Sequence, residues 1–293
     1  MDPGSLDLGI VTPVLTLLPR AHARWELDAT IDDVAAIARR ADDLGYHHLT
    51  CSEHIAIPEP VAATRGARYW DPLATFGYLS TLTRRIRLTT FVLVLGYHHP
   101  LAIAKRYGTL DRICRGRLVL GVGVGSLEEE FAMLGAAFDE RGAIADDAIR
   151  ALRASFARER PSYHGPYFEF DGLVVDPCGV QRDVPIWVGG RTRRSLRRAV
   201  ELGDAWAPFG LGVDEVQRLL EHARSSEAWS ARRAPLGVWL QTSPLDPAGD
   251  PEATRRQVDA LRAAGATGLS VRFVHRSRDH FLEQLEALRD CGA

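Results

Sequence analysis

Eight short apolar runs alternate with amphipathic helical segments along this chain of 293 residues, and no other feature limits the fold as strongly. Most of the runs are continuous stretches of Val, Leu and Ile, which is typical of parallel strands covered on both faces. The eight predicted strands are "LDLGIV" from Leu6, "HHLTCSE" from His47, "IRLTTFVLVL" from Ile86, "RLVLGVGVG" from Arg117, "VPIWVGG" from Val184, "DAWAPFG" from Asp204, "LGVWLQT" from Leu236 and "GLSVRFV" from Gly268.

The helical segments between these runs have recognisable starts and ends. Thr30 and Asp33 have the spacing of a capping box, and the Asp-Pro pairs at Asp71 and Asp250 are typical of an N-cap and the first helical residue. Helix–glycine–strand joints recur at Gly45, Gly116, Gly203 and Gly265. The regular units predict one (β/α)8 barrel domain over residues 1–293. A doubly wound open sheet ranks second, because eight regular units without a change in composition between them are expected to close into a ring.

One segment, residues 127–183, interrupts this regularity because it contains no clean strand–helix unit. We expect a helix over residues 142–159, followed by a hairpin in "YFEFDGLVVDP" that turns at Asp171 and Gly172. The segment is interpreted as an insertion after the fourth strand, on or beside the catalytic face.

Composition and charge argue against several classes of function. The net charge is −2 and no basic tail exists, so neither nucleic acid nor a membrane surface is an expected partner. No signal peptide or membrane-spanning run is predicted. The cysteines are too far apart for a zinc motif, which favours a reduced, cytoplasmic protein. They are Cys51, Cys114, Cys178 and Cys291.

The stretch "LVLGVGVGSLEEEF", from Leu118 to Phe131, has the appearance of a dinucleotide-binding loop. It lies on the fourth strand instead of the first, however, and Ser126 occupies the position of the third glycine. Gly121, Gly123 and Gly125 instead lie on one side of a strand and leave that face without side chains. Such a face makes room either for a flat ligand or for bulky neighbouring side chains.

Several segments together resemble the bacterial-luciferase-like superfamily, and most closely its branch of oxidoreductases dependent on the deazaflavin coenzyme F420. These segments are "TCSEHI", "RIRLTTFVLVLGYHHPLAIAKRYGTLDRICRGRLVLGVGVGSLEEEF", "DERG" and "PIWVGGRTRRSLRRAVELGDAW". The resemblance implies a (β/α)8 barrel that holds the coenzyme ring at its C-terminal mouth, and a homodimer. It also implies a non-prolyl cis peptide at Phe91-Val92, beside the ring.

The resemblance assigns roles to residues at the ends of three predicted strands. Glu53 and His54 match an acid–His pair, with the acid near the ring and the histidine near the substrate, where imidazole exchanges protons near neutral pH. The segment "VGGRT" matches the phosphate site. In it, Gly189 and Gly190 let a ligand approach the backbone, and the amides of Arg191 and Thr192 lie at a helix N-terminus. The coenzyme-binding set also includes Phe91, Val92, Gly123, Gly125 and Ser126.

Ser126 departs from the family pattern. Some deazaflavin-dependent sugar-phosphate dehydrogenases carry a catalytic glutamate at its position, so the same alcohol-oxidising chemistry is not expected here. Glu128, Glu129 and Glu130 follow, and at a helix start they are expected to interact with the helix dipole.

Four further residues are candidates for the substrate pocket: Trp70, His98, His99 and Arg272. Packing or solvated loop positions are the alternative for each of them. Adjacent histidines on a loop are poor evidence for a metal site, and none is predicted. His47 and His48 begin a strand at the opposite face and are interpreted as structural.

These observations favour an oxidoreductase that transfers a hydride between F420 and a small organic substrate. An FMN-dependent monooxygenase on the same fold is the first alternative, and a protein that binds F420 without turnover is the second. A barrel hydrolase or aldolase ranks lower, because no metal cluster or well-placed lysine is evident.

Overall fold

The computed structural model describes residues 6–291, and within them eight parallel strand positions close into a barrel. Each position is called a stave, because one of them consists of two short strands. The barrel strands are β1 (Asp7–Ile10), β2 (His48–Cys51), β3 (Arg87–Thr90), β4 (Leu93–Val94), β5 (Leu118–Gly123), β8 (Ile186–Gly189), β9 (Ala205–Ala207), β10 (Gly237–Leu245) and β11 (Gly268–Phe273). β3 and β4 are two halves of the third stave. Pairing of β1 with β11 and of β3 with β5 closes the ring, so the predicted barrel is confirmed over the open sheet.

Eleven α-helices accompany the strands in the described part of the chain. They are α1 (Ile31–Asp43), α2 (Glu59–Arg65), α3 (Pro72–Leu82), α4 (Pro100–Ile113), α5 (Glu128–Met133), α6 (Arg141–Ser155), α7 (Arg193–Leu202), α8 (Val213–Arg224), α9 (Glu227–Ser230), α10 (Pro251–Ala263) and α11 (Arg278–Asp290), with 3-10 turns at Arg24–Leu27 and Leu95–Tyr97. The predicted caps are confirmed: Thr30 and Asp33 form a capping box, and Asp71 and Asp250 accept hydrogen bonds at the starts of α3 and α10.

The third stave is interrupted between β3 and β4. The Phe91–Val92 peptide bond is cis, as the resemblance implies. The hydroxyl of Ser52 donates a hydrogen bond of 2.8 Å to the Phe91 carbonyl, and the Glu53 amide donates one of 3.3 Å to the Val92 carbonyl. The end of β2 therefore holds the interrupted segment directly at the barrel mouth.

Aromatic rings fill the interior at the N-terminal end of the barrel. Trp187 and Trp239 stack with ring centroids 4.3 Å apart, and His47 lies 4.6 Å from Trp239. His48 is fully buried and its Nε2 lies 2.9 Å from the Ser270 hydroxyl. A Cβ at Gly9 would lie only 2.0 Å from the His48 ring, so this glycine makes room for it. These contacts agree with the structural interpretation of His47 and His48.

The segment after β5 is more regular than the sequence indicates. Helix α6 lies on the barrel between β5 and β8 and completes an ordinary β/α unit, so the irregular part begins only after Ser155. The expected hairpin turn at Asp171 and Gly172 is wrong. The hairpin instead pairs β6 (Tyr163–His164) with β7 (Glu169–Phe170). Its position follows from Asp147 of α6, whose carboxylate accepts hydrogen bonds from the Tyr163 hydroxyl and from two amides of the hairpin turn.

Within residues 6–291, none of the helices combines the length and the apolar character that a membrane crossing requires.

Candidate active site

Glu53 and His54 follow β2 at the C-terminal end of the barrel, which is the end where barrel enzymes place their catalytic groups. Glu53 is buried, whereas His54 is half-buried and reaches the surface of the mouth. Each side chain is held by a residue from a different element, and the two resulting acid–histidine pairs lie side by side.

The first pair joins His54 to Glu130 of α5. The His54 Nδ1 lies 2.7 Å from a Glu130 carboxylate oxygen. The same carboxylate accepts hydrogen bonds of 2.5 and 3.2 Å from the amides of Ile55 and Ala56, and one of 2.6 Å from the Tyr97 hydroxyl. Glu130 is only 1% exposed. Because a buried carboxylate is stable only when it is paired or hydrogen-bonded, this set of donors explains its presence.

The charge of Glu130 follows from these contacts. Burial acts to raise the pKa of its carboxyl, but the hydrogen bonds from Tyr97, His54 and the Ile55 amide outweigh burial and lower the pKa. Burial and the hydrogen bond to Glu130 raise the pKa of Tyr97, so its hydroxyl stays protonated and acts as a donor. An ionised Glu130 accepts a hydrogen bond from the Nδ1–H of His54, which leaves Nε2 as the ring nitrogen available for chemistry.

The second pair joins Glu53 to His98. The Nε2 of His98 lies 2.7 Å from one Glu53 oxygen, and the Val94 amide donates a hydrogen bond of 2.7 Å to the other. Glu53 and His54 are neighbours in sequence, and so are Tyr97 and His98. The loop after β4 therefore supplies one partner to each acid–histidine pair and links the two pairs.

Aromatic rings border the His54 side of this network. The ring of Tyr69 lies 4.5 Å from the imidazole of His54, in an edge-to-face arrangement, and its hydroxyl donates to the Arg65 carbonyl. Tyr97 packs against Phe131 at 4.9 Å. The imidazole is thereby restrained by a ring on one side and by a carboxylate at Nδ1.

Neighbouring residues occupy the space beside the glycine strip on β5, which is the second of the two alternatives that the sequence leaves open. A Cβ at Gly121 would lie 1.9 Å from the Thr90 carbonyl, and one at Gly123 would lie 2.5 Å from a methyl of Val92. A Cβ at Gly125 would meet the Phe131 ring. The missing side chains make room for the interrupted third stave, so the half-buried Phe91 and Val92, rather than the glycines, face the mouth.

Ser126, which follows the strip, is exposed, and its hydroxyl accepts a hydrogen bond of 3.2 Å from Arg65 of α2. The residue is therefore placed at the mouth, in contact with a helix that contributes no buried residue of its own.

The segment "VGGRT" joins β8 to α7. Gly189 ends β8, and Gly190 has a φ of +108°, which favours glycine. Thr192 is the N-cap of α7, and its amide donates to the Ser195 hydroxyl at 3.0 Å. This amide therefore has a partner within the chain, and the phosphate-binding role of Thr192 stays a prediction. Arg191 is exposed and lies over the Phe209 ring at 5.8 Å.

The remaining pocket candidates lie apart from the acid–histidine pairs. His99 caps α4, and its ring lies 5.4 Å from that of Phe168 beside the hairpin, which agrees with the packing alternative for this residue. Trp70 is half-buried against the core, and it is its neighbour Tyr69 that contacts His54. The guanidinium of Arg272 donates to the Ala21 carbonyl at 3.3 Å, in the loop after β1.

Glu130, Tyr97 and Tyr69 complete the site and were not assigned to it from the sequence. Glu130 lies in the first turn of α5, where an interaction with the helix dipole is expected, and its carboxylate also holds His54. No local pattern in the sequence indicates this role, because His54 and Glu130 are 76 positions apart in the chain. Within residues 6–291, His, Cys, Asp and Glu side chains form no group of three that could hold a metal ion.

Comparisons with known proteins agree with this fold. The chain is 30% identical over 212 residues to an uncharacterized protein of Mycobacterium tuberculosis, a match that covers 67% of this chain and 73% of the relative. It is 26% identical over 200 residues to the oxygenase component of a flavin-dependent trigonelline monooxygenase of Acinetobacter baylyi, which covers 67% and 53% of the two chains.

Solved structures share the architecture at low sequence identity. Monooxygenase RslO1 of Streptomyces bottropensis matches with a TM-score of 0.79 at 21% identity and covers 97% of this chain and 98% of its own. An F420-dependent secondary alcohol dehydrogenase, solved with an F420–acetone adduct, matches with a TM-score of 0.74 at 15% identity, covering 98% and 100%. At the level of sequence, the profile of the luciferase-like monooxygenases matches residues 12–291. The chain therefore belongs to the luciferase-like monooxygenase family.

Proposed function

We propose that this protein is an oxidoreductase that binds the deazaflavin coenzyme F420 at the barrel mouth and transfers a hydride between it and a small organic substrate. The observation that carries the proposal is the His54–Glu130 pair. A half-buried imidazole, fixed by a buried carboxylate at the end of a barrel strand, is arranged for proton transfer and not for packing. Mononuclear metal chemistry has no matching ligand cluster within residues 6–291.

The residues at the mouth fit a flat ring system. Phe91, Val92 and Val124 are only half-buried, although they follow strands whose residues are almost all buried. Phe209 and Val274 are 44% and 47% exposed beyond the ends of β9 and β11. Uncovered apolar surface bordered by a few polar groups is typical of a cofactor pocket. At the start of α7, the exposed guanidinium of Arg191 suits a phosphate group.

The coenzyme, when bound, supplies or accepts the hydride. The chain supplies the proton that must accompany it. Glu130 keeps the proton of His54 on Nδ1, so that Nε2 takes or gives the proton at the reacting atom of the substrate. Glu53, fixed by His98 and the Val94 amide, presents a buried carboxyl group beside the Phe91–Val92 segment. The ring of Tyr69 packs against the imidazole and restricts its motion, and Tyr97 holds Glu130 in place through its hydroxyl.

An FMN-dependent monooxygenase is the second candidate. Two relatives support it by their names, the trigonelline monooxygenase component and an FMNH2-dependent dimethylsulfone monooxygenase of Pseudomonas putida. The same apolar segment would hold the flavin ring, which would supply the electrons that activate oxygen, and His54 would exchange a proton with the substrate. A protein that holds F420 without turnover is the third candidate. A cytoplasmic homodimer is part of the proposal in each case.

A binding titration tests the proposal. The purified full chain is titrated with oxidised and reduced F420 and, separately, with FMN and its reduced form, and binding is followed by absorbance and fluorescence. We expect saturable binding of F420 and weaker binding of FMN. Arg191→Gln should weaken F420 binding, whereas Arg218→Gln, an exposed change on α8, should leave it unchanged. Absence of saturable binding of both coenzymes would contradict the proposal.

A further inference from the structure

A second cavity lies on the outer wall of the barrel, between α7, α8 and α9. Its volume is about 330 Å³, at the lower end of the range of about 300–1,000 Å³ typical of pockets for small molecules. It is formed by side chains of the three helices and contains none of the residues of the two acid–histidine pairs. The cavity is therefore distinct from the two acid–histidine pairs that carry the proposed reaction.

The floor of the cavity is apolar. Leu196 and Val200 contribute from α7, Leu219 and Ala223 from α8, and Ala228 from α9. Leu196, Val200 and Ala223 are buried, whereas Leu219 and Ala228 are half-buried, so the apolar surface is continuous but not fully covered. A floor of this kind favours an apolar body, because covering it removes apolar area from water.

The rim of the cavity is basic. Arg193 and Arg194 are exposed, and within residues 6–291 neither has a carboxylate oxygen within the 4.0 Å of a salt bridge. Arg197 has only long contacts, 3.7 Å to Asp146 and 3.8 Å to Glu201. Glu201 is the one acidic residue among the side chains that line the cavity in the described part of the chain. Three guanidinium groups and one carboxylate leave a net positive rim.

Other basic residues in this region are already engaged, which sets Arg193 and Arg194 apart. Arg198 is buried, is paired with Asp146 and donates to the Gly142 carbonyl. Arg232 donates to the carbonyls of Ala199 and Gly203. These two arginines stabilise the helix packing, whereas Arg193 and Arg194 form no ion pair within residues 6–291.

We propose that this cavity is a binding site for a small amphiphilic anion, with a short acyl or aryl body on the apolar floor and one carboxylate or sulfonate between Arg193 and Arg194. Arginine forms paired, charge-assisted hydrogen bonds with such groups. The apolar floor explains why an inorganic anion alone would not suffice, and the basic rim explains why an uncharged apolar molecule would not.

The test uses decanoate as the probe, with isothermal titration calorimetry at low ionic strength, where surface charges are least screened. Amide chemical shifts then map the site on the full chain. We expect saturable decanoate binding with shifts confined to α7, α8 and α9. Acetate lacks the apolar body and decanol lacks the negative charge, so each should bind at least tenfold more weakly than decanoate. Saturating FMN or F420 should leave decanoate binding unchanged.

Two variants separate the rim from the floor. Arg193→Gln combined with Arg194→Gln should weaken decanoate binding at least tenfold, and Leu219→Glu should abolish it by placing a carboxylate on the floor. Arg218→Gln, on the same helix as Leu219 but outside the cavity, is the matched control and should bind as the unsubstituted chain does. Thermal unfolding confirms that each variant is folded.

Several results would overturn the proposal. Decanoate binding that survives the double arginine substitution, decanol binding as tight as that of decanoate, or displacement of decanoate by FMN or F420 each contradicts it. Binding of an acidic peptide without any binding of decanoate would identify a polypeptide as the occupant instead. Because the coenzyme titration is a separate measurement, failure here leaves the proposed reaction unaffected.

Discussion

A carboxylate oxygen of Glu130 lies 2.7 Å from Nδ1 of His54, although 76 positions separate the two residues in the chain. The contact unites the end of β2 with the first turn of α5. It fixes the tautomer of a half-buried imidazole, and the expected behaviour of the site under substitution follows from it.

Replacing His54 tests whether the pair transfers protons. His54→Ala should lower turnover about 10²–10⁴-fold, the usual contribution of a general acid or base, and leave the coenzyme dissociation constant within about twofold of the original, since His54 is not assigned to coenzyme binding. Turnover is measured as F420-dependent reduction or FMNH2-dependent oxygen uptake, whichever the unsubstituted protein supports. His99→Asn is the control, because Asn preserves the N-cap of α4. Unchanged turnover in His54→Ala would favour a different proton donor.

Replacing Glu130 has a structural and a chemical effect that can be separated. Glu130→Ala leaves the Tyr97 hydroxyl and the amides of Ile55 and Ala56 without their acceptor, and should lower the free energy of unfolding by about 2–4 kcal/mol. Glu130→Gln keeps an acceptor oxygen and should lower the free energy of unfolding by less than Glu130→Ala does. It should still lower turnover, because a neutral amide holds the imidazole of His54 less firmly than a carboxylate does. Urea denaturation and turnover are the two measurements. Equal stability of the Ala and Gln variants would contradict this account.

The contact between Gly123 and Val92 predicts a steric effect at the mouth. In Gly123→Ala the new methyl group meets the Val92 side chain, so Val92 must move and coenzyme binding should weaken. Val92→Ala in the same chain removes the clash and should restore most of the affinity. Gly77→Ala is the control, since a methyl group there has no neighbour within 4 Å. A coenzyme titration of the three variants decides whether the glycine is needed for the third stave.

The buried histidines predict how stability depends on pH. Burial lowers the pKa of His47 from 6.5 to about 4 and lowers that of His48 well below 6.5. Between about pH 4 and 6.5, the two histidines therefore bind protons in the unfolded chain that they do not bind in the folded protein. The free energy of unfolding should fall as the pH falls from about 6.5 towards 4, by up to about 1.4 kcal/mol per pH unit and per histidine.

Urea denaturation at pH 7, 6 and 5 measures this slope. His47→Gln should reduce the slope by up to about 1.4 kcal/mol per pH unit, which is the contribution of one proton. His222→Gln, an exposed substitution on α8, should leave the slope unchanged. A slope that His47→Gln does not alter would show that His47 is not among the groups responsible.

Packing around His48 provides a further test of the barrel interior. Gly9→Ala places a methyl group against the imidazole and should destabilise the protein by about 1–3 kcal/mol, as overpacking does. His48→Ser relieves the clash, so the double variant should be more stable than the sum of the two single effects predicts. Additive effects in denaturation experiments would contradict the contact.

The architecture could be predicted because its signals are local. A parallel strand buried on both faces must be an uninterrupted apolar run, and the capping residues Thr30, Asp71 and Asp250 mark the helix starts by contacts within one turn. The hairpin was misplaced because Asp171-Gly172 is a turn signal with no paired strands. The position of the hairpin is set by Asp147, which belongs to another element.

The site was only partly predictable for the same physical reason. Glu53 and His54 could be assigned from their position after a strand, but their partners His98 and Glu130 come from a loop and a helix that the fold brings together. The spacing of Gly121, Gly123 and Gly125 reveals a face without side chains, yet it cannot tell whether a ligand or the neighbouring stave occupies the space. The structure gives that space to Val92, Thr90 and Phe131.

The stacked indoles of Trp187 and Trp239 have a kinetic consequence for the proposed chemistry. They fill the interior at the N-terminal end of the barrel, so coenzyme and substrate can reach the proposed site only from the C-terminal mouth. The ligand that binds second then covers the ligand that binds first and must leave before it. Steady-state inhibition by product should therefore follow an ordered pattern and not a random one.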